Sequence, residues 1–179
     1  MKGARSILVA GLLIVSVQLV ADSPSSAARM IQPCSSENLI VMASGWFGAA
    51  GTGAMTFDIV NRGPACRISG YPDVSFENSS AIEVDHRDIH TSSMLFAEPR
   101  AVVLALARDG VATFGVSWSD NPVNGRSYNK TCPETARALV TLRRGVGSLF
   151  GEIPINPRPC ADVLLVTPIE PGTWPRLNE

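Results

Sequence analysis

The stretch Met55-Thr56-Phe57-Asp58-Ile59-Val60-Asn61 decides the fold. Met55, Phe57 and Ile59 alternate with Thr56 and Asp58, the period of a half-buried strand, in which side chains two apart share a face. Outward from it, Val102, Leu104 and Leu106 repeat the pattern. The run Ala112-Thr113-Phe114-Gly115-Val116-Ser117-Trp118 carries its apolar set on even numbers, so Trp118 reads as core. Val163-Leu164-Leu165-Val166 is apolar on both faces, as a central strand requires. Turn formers separate these runs at Asn61-Arg62-Gly63-Pro64, Gly70-Tyr71-Pro72-Asp73, Arg108-Asp109-Gly110, Asn121-Pro122, Asn124-Gly125 and Asn156-Pro157. One helical turn is predicted, Pro133-Glu134-Thr135-Ala136, with proline near its start. Strands of this kind bury their apolar sides face to face. The predicted fold is therefore all-β, an immunoglobulin-like two-layer sandwich with Greek-key connections.

The 179 residues suit one domain, and a hydrophobic share of 45% supplies its core. Residues 1–28 read as a signal peptide rather than as part of that core. Lys2 and Arg5 make a basic start, Ile7 to Val15 is apolar throughout, and the small residues Ala21, Ser23, Ser25, Ser26, Ala27 and Ala28 follow. The apolar run is shorter than the ~20 residues that span a bilayer as a helix, so cleavage is expected after Ala21, Ala27 or Ala28. Residues 29–167 then form the sandwich, and 168–179, with three prolines, are expected to trail along its surface. The mature chain is expected to be secreted or held in the periplasm or cell-wall space without spanning a membrane. The formal net charge of the whole chain is −1, and its basic residues are scattered. Nothing there attracts a phosphate backbone, which argues against a nucleic-acid partner.

Cys34, Cys66, Cys132 and Cys160 form an even set downstream of the leader, which in an oxidising compartment reads as two disulfides. Four cysteines allow three connectivities. Leu39–Val41 and Met55–Asn61 look like arms of a hairpin around a loop at Gly45–Gly53, which favours Cys34–Cys66 and leaves Cys132–Cys160. Each bridge closes about 30 residues, worth ~3–4 kcal/mol by chain entropy. No two cysteines stand two to four residues apart, so zinc on cysteine is not expected.

The order of these features resembles a known family. Cys34 leads a first strand, and Gly48-Ala49-Ala50-Gly51 precedes a strand ending in Asn61. Cys66-Arg67-Ile68-Ser69-Gly70-Tyr71-Pro72, the strand Ala112–Trp118, Cys132-Pro133, and Cys160 with Val166-Thr167-Pro168 come next. That series is similar to the secreted and lipoprotein domain-of-unknown-function family 4232 (DUF4232) of actinobacteria, and covers nearly all of the mature chain. The resemblance implies an immunoglobulin-like sandwich in a mycobacterial-type envelope or outside it. Many members carry a lipobox; here Cys34 follows Ile31-Gln32-Pro33, the wrong context for lipidation. The resemblance supplies no activity and no catalytic residue.

Several patterns invite a chemical reading. In Asp85-His86-Arg87-Asp88-Ile89-His90, strand alternation puts His86, Asp88 and His90 on one face, and these two histidines are all the chain has. Two imidazoles and a carboxylate are a ligand set for zinc or iron, although a straight strand holds His86 and His90 about 13 Å apart. A polar connection between strands is the simpler reading. Ser119-Asp120-Asn121, Ser127-Tyr128-Asn129-Lys130 and Lys130-Thr131 mimic the motifs of penicillin-recognising enzymes. They stand in the wrong order within thirteen residues, and Cys132 replaces the last glycine, so a turn-rich loop explains them. Glycines 45–53 lack the Lys-Ser/Thr pair and the helix of a phosphate cradle.

Trp46 and Phe47 in that predicted loop are expected to tuck into the sandwich end; an exposed binding patch is the alternative. Trp174 is read as a cap on the sandwich edge, with carbohydrate stacking as an unsupported alternative. Asn78-Ser79-Ser80 and Asn129-Lys130-Thr131 match the glycosylation acceptor pattern, inert in a bacterial protein. No catalytic set and no cofactor are expected. The function predicted is an exported non-catalytic module that binds an envelope protein, a glycan or a small hydrophobic ligand. Its rivals are a metal-binding protein or metal-dependent enzyme using His86, Asp88 and His90, and a structural spacer.

Overall fold

A computed structural model describes residues 31–90, 96, 100–122, 132–142, 147–153 and 156–173. Residues 1–28, expected to be a signal peptide, lie outside these residues, as do Ser127–Thr131 and Trp174. Within them the chain is all-β. A short 3-10 turn at Ser36–Asn38 leads into β1 (Leu39–Ala49) and β2 (Thr52–Asn61). Then come β3 (Cys66–Ser69), β4 (Asp73–Glu77), β5 (Arg87–His90), β6 (Val103–Leu106) and β7 (Val111–Ser119). The chain ends in β8 (Arg137–Leu142), β9 (Gly147–Glu152), β10 (Cys160–Val166) and β11 (Glu170–Pro171).

One layer is a mixed sheet in the order β1-β2-β7-β10-β5, with β11 also paired to β7. The other contains the sheet β4-β8-β9 and the pair β3-β6. The chain leaves the large sheet after β2, returns at β5 and β7, and crosses again before β10, as Greek-key connections do. The alternation quoted first sets the inner face. Met55, Phe57 and Ile59 from β2 join Ala112, Phe114, Val116 and Trp118 from β7, all buried. Val74, Phe76, Ala138 and Val140 meet them from the small sheet. Phe57 stacks on Phe114 with centroids 5.2 Å apart, and Phe76 meets Trp118 edge-on at 5.6 Å.

The outer face of β2 and β7 is buried as well, although it carries Thr56, Asp58, Thr113 and Ser117. Phe96, fully buried, lies there: a Cβ on Gly115 would sit 2.5 Å from its ring. Thr113 Oγ1 donates to the Phe57 carbonyl, and Ser44 Oγ donates to Asp58 Oδ1 at 3.0 Å. Burial pushes the Asp58 carboxyl above the ordinary range, while the Ser44 and Thr113 hydroxyls pull it back.

Both disulfides form as expected, Cys34–Cys66 and Cys132–Cys160, with Cα atoms 4.8 and 4.4 Å apart. Arms of the expected hairpin are present, from Leu39↔Asn61 inward. Three expectations fail. Gly45–Gly53 is not a loop: the strands continue to Ala49↔Thr52 and turn on Ala50 and Gly51, with φ of +47° and +86°. Of the glycines that suggested a loop, Gly51 makes the turn and Gly53 admits the Trp118 ring above it. Pro133–Ala136 is not helical: the Thr135 amide and hydroxyl both donate to the Pro157 carbonyl and Ala136 N donates to Glu77 O. The tail is not all surface: Ile169 is 1% exposed, and Glu170 pairs with Thr113 across β11 and β7.

Candidate functional site

Two places collect the residues that the sequence singles out. The first is the end of the large sheet near the β1–β2 turn. A β-bulge at Ser44, between the pairs Ala43↔Phe57 and Gly45↔Thr56, shifts the alternation of β1 by one residue. Without it Trp46 would follow Ile40 and Met42 onto the outer face. With it Trp46 stands opposite Met55, on the inner side, where its ring lies 5.5 Å from that of Trp118. The core does not close over it. Trp118 is 2% exposed and Trp46 is 48% exposed. Phe47 goes to the other face and meets Phe96 edge-on at 6.1 Å. Of the two aromatics expected to tuck in, Phe47 is half-buried and Trp46 is held open.

The turn that carries the enzyme-like triplet closes this end. Asn121 N donates to Ser119 Oγ, Asp120 N donates to Gly51 O, and the Asn121 side chain fills the space beside Gly51. Ser119 is thus engaged in turn geometry. Asn78 plays a similar local part, its Oδ1 accepting from Ser80 N and Ile82 N.

The second place is the opposite edge of the large sheet, where β5 runs parallel to β10. His86 and Asp88 do lie on one side of the strand, and their task there is structural. In the β4–β8 ladder the Val74 peptide groups point away from β8, toward β5. Asp88 Oδ2 accepts from Val74 N at 2.5 Å, and His86 Nε2 meets Val74 O at 2.6 Å. His86 Nδ1 meets Val84 O at 2.5 Å. Both ring nitrogens lie against backbone carbonyl oxygens, so the ring is taken up in holding the Val74 and Val84 backbone. The expected trio of His86, Asp88 and His90 does not converge.

A different trio does. Ligand atoms of Asp73, Asp88 and His90 lie within 4.8 Å of one another. His90 Nε2 is 3.2 Å from Asp73 Oδ1, and the His90 ring stacks on Tyr71 at 5.1 Å and 19°. Burial lifts the Asp88 carboxyl above its ordinary range; the Val74 amide and the His86 and His90 rings oppose that rise, and the charge of Asp73 adds to it. The sequence conceals Asp73 and Tyr71, because Gly70-Tyr71-Pro72-Asp73 reads as a turn and no local period ties it to a strand fifteen residues on.

The family described as Domain of unknown function (DUF4232) matches residues 34–170. The chain belongs to that family. The DUF4232 span opens on the first bridged cysteine and closes on Glu170 in β11, so the family unit and the folded unit coincide. No curated protein and no solved structure matches the chain. Among the described residues no helix is long and apolar enough to cross a membrane.

Proposed function

We propose that this DUF4232 protein is exported and acts as a non-catalytic interaction module, gripping its partner at the sandwich end around Trp46. One observation carries the reading: an indole 48% exposed, set on a paired strand and backed by the buried Trp118. Tryptophan held rigidly contributes large contact area at low entropic cost, and such residues dominate binding energy. The basic-apolar-small leader and the two disulfides support export, since bridges of this kind persist in oxidising compartments. The resemblance to secreted actinobacterial proteins supports a cell-envelope setting. A non-catalytic role is supported by the structural use of His86 and Ser119, the residues best suited by sequence to chemistry. The partner is an envelope protein, a glycan or a small hydrophobic ligand, three classes that offer an apolar face to an indole.

A pull-down from cell-wall extract tests this. The folded chain retains a specific component, and Trp46→Ala weakens that retention at least thirtyfold, the equivalent of about 2 kcal/mol at a hot spot. Retention no greater than that of an unrelated secreted sandwich, or unchanged by Trp46→Ala, overturns the proposal.

A further inference from the structure

We infer that Asp73, Asp88 and His90 form a binding site for a divalent transition cation of the zinc class, with a coordination position left open to solvent. The inference is independent of the Trp46 surface, which lies at the other edge of the large sheet. The donor set is one imidazole and two carboxylates, and its atoms already lie within 4.8 Å of one another. Zinc bonds of about 2.0–2.2 Å put neighbouring tetrahedral ligands roughly 3.3–3.6 Å apart. His90 Nε2 and Asp73 Oδ1 stand at 3.2 Å, close to that edge. The wider pairs all involve Asp88 and must close by up to about 1.5 Å, which requires the part-exposed Asp73 and His90 side chains to shift together toward Asp88.

Two further observations point to a cation. Asp88 is pinned through Oδ2 by Val74 N, while its Oδ1 is occluded from solvent and accepts no hydrogen bond. The His86 ring stands 3.6 Å from that oxygen, beyond hydrogen-bond reach, and is turned to Val74 O. A buried carboxylate oxygen in that condition is costly unless an opposite charge faces it. The second is orientation: Tyr71 stacked on His90 fixes the plane of the imidazole, as supporting groups do around metal ligands. Two carboxylates and a neutral imidazole balance a doubly charged ion. Calcium, which takes six to eight oxygens, finds too few here. The Asp73, Asp88 and His90 side chains are 44%, 13% and 21% exposed, so a fourth ligand reaches the ion from solvent.

The rival account is a plain ion pair between His90 and Asp73. Titrating the metal-stripped chain with zinc chloride by calorimetry, with calcium chloride in parallel, separates the two. One zinc per chain is expected, with calcium binding at least a hundredfold weaker. Asp73→Asn and His90→Gln each weaken zinc binding at least tenfold, while the urea midpoint of the stripped protein stays near wild type because both side chains are partly exposed. Replacing zinc with cobalt(II) gives the visible bands of a low-coordinate nitrogen–oxygen site in wild type, and those bands are lost in both variants. Zinc binding below a fifth of an equivalent, or binding that neither variant weakens, overturns the site. So does calcium binding as tight as zinc.

Discussion

Replacing Gly115 by alanine tests how the outer face of the large sheet is covered. The glycine lies in the centre of β7, and its missing side chain is the floor on which Phe96 rests. A Cβ there would stand 2.5, 2.6 and 2.8 Å from three ring carbons of Phe96. Carbon atoms in contact sit about 3.5–4.0 Å apart, so the ring must retreat by at least ~1 Å. It has little room, being fully buried and edge-on to Phe47. Overpacking of this kind costs about 1–3 kcal/mol. Phe96→Ala alone opens a cavity and costs about 3–5 kcal/mol. In that background the clash is gone, and alanine is favoured over glycine in a strand by about 0.5–1 kcal/mol. The same substitution is thus expected to destabilise the wild type and stabilise the Phe96→Ala protein, a coupling of about 1.5–4 kcal/mol. Urea unfolding of the four proteins, followed by tryptophan fluorescence, measures it. Equal costs of Gly115→Ala in both backgrounds would refute the packing argument.

The remaining expectations rest on separate contacts. Cys34→Ala with Cys66→Ala, or Cys132→Ala with Cys160→Ala, opens a bridge with a sequence separation of 32 or 28. Each is expected to cost about 3.5–4 kcal/mol by loop entropy, and a urea midpoint indifferent to reductant would contradict that. Asn61→Ala strips the buried amide that donates to the Pro64, Leu106 and Ala107 carbonyls and accepts from Gly63 N. A loss of about 1–3 kcal/mol is expected in the same assay. The raised pKa of Asp58 means that the folded protein holds this proton more tightly than the unfolded chain does, whose carboxyl titrates near 3.8. The Asp58 contribution to stability therefore falls as pH rises from below that value through the raised one, and stays lower above it. Asp58→Asn should remove this fall, so the stability of the variant relative to wild type grows between pH 3 and neutrality; an unchanged difference would contradict the assignment.

How far the sequence carried the account differs from one residue to the next. The rows Met55-Phe57-Ile59 and Phe114-Val116-Trp118 were legible because strand alternation is local and both rows face one core. The Cys34–Cys66 bridge was legible because two antiparallel arms bring their flanks together whatever happens between them, and Cys132–Cys160 followed by elimination. Trp46 was not. Its side of the sheet depends on the bulge at Ser44, a single extra residue that composition does not mark, and the glycines of the stretch suggested a loop although Gly53 makes room for the Trp118 ring. The His86–Asp88 alternation was visible in the sequence, but the use the fold makes of both residues depends on the Val74 edge, which only the tertiary arrangement brings near. Asp73 joins His90 across a turn and a change of sheet, a contact with no periodic trace. Ile169 and Glu170 looked like tail because prolines surround them; pairing with β7 outweighs that local signal.

A photo-crosslinking amino acid placed at position 46 in living cells tests the account most directly, with position 103 as control because Val103 is 67% exposed on a strand of the other layer. Irradiation should give one discrete adduct from position 46, recovered with the envelope or the medium, and none of that size from position 103. Identical adducts from both positions, or adducts confined to the cytosol, would contradict a surface built around Trp46 for a partner outside the cell.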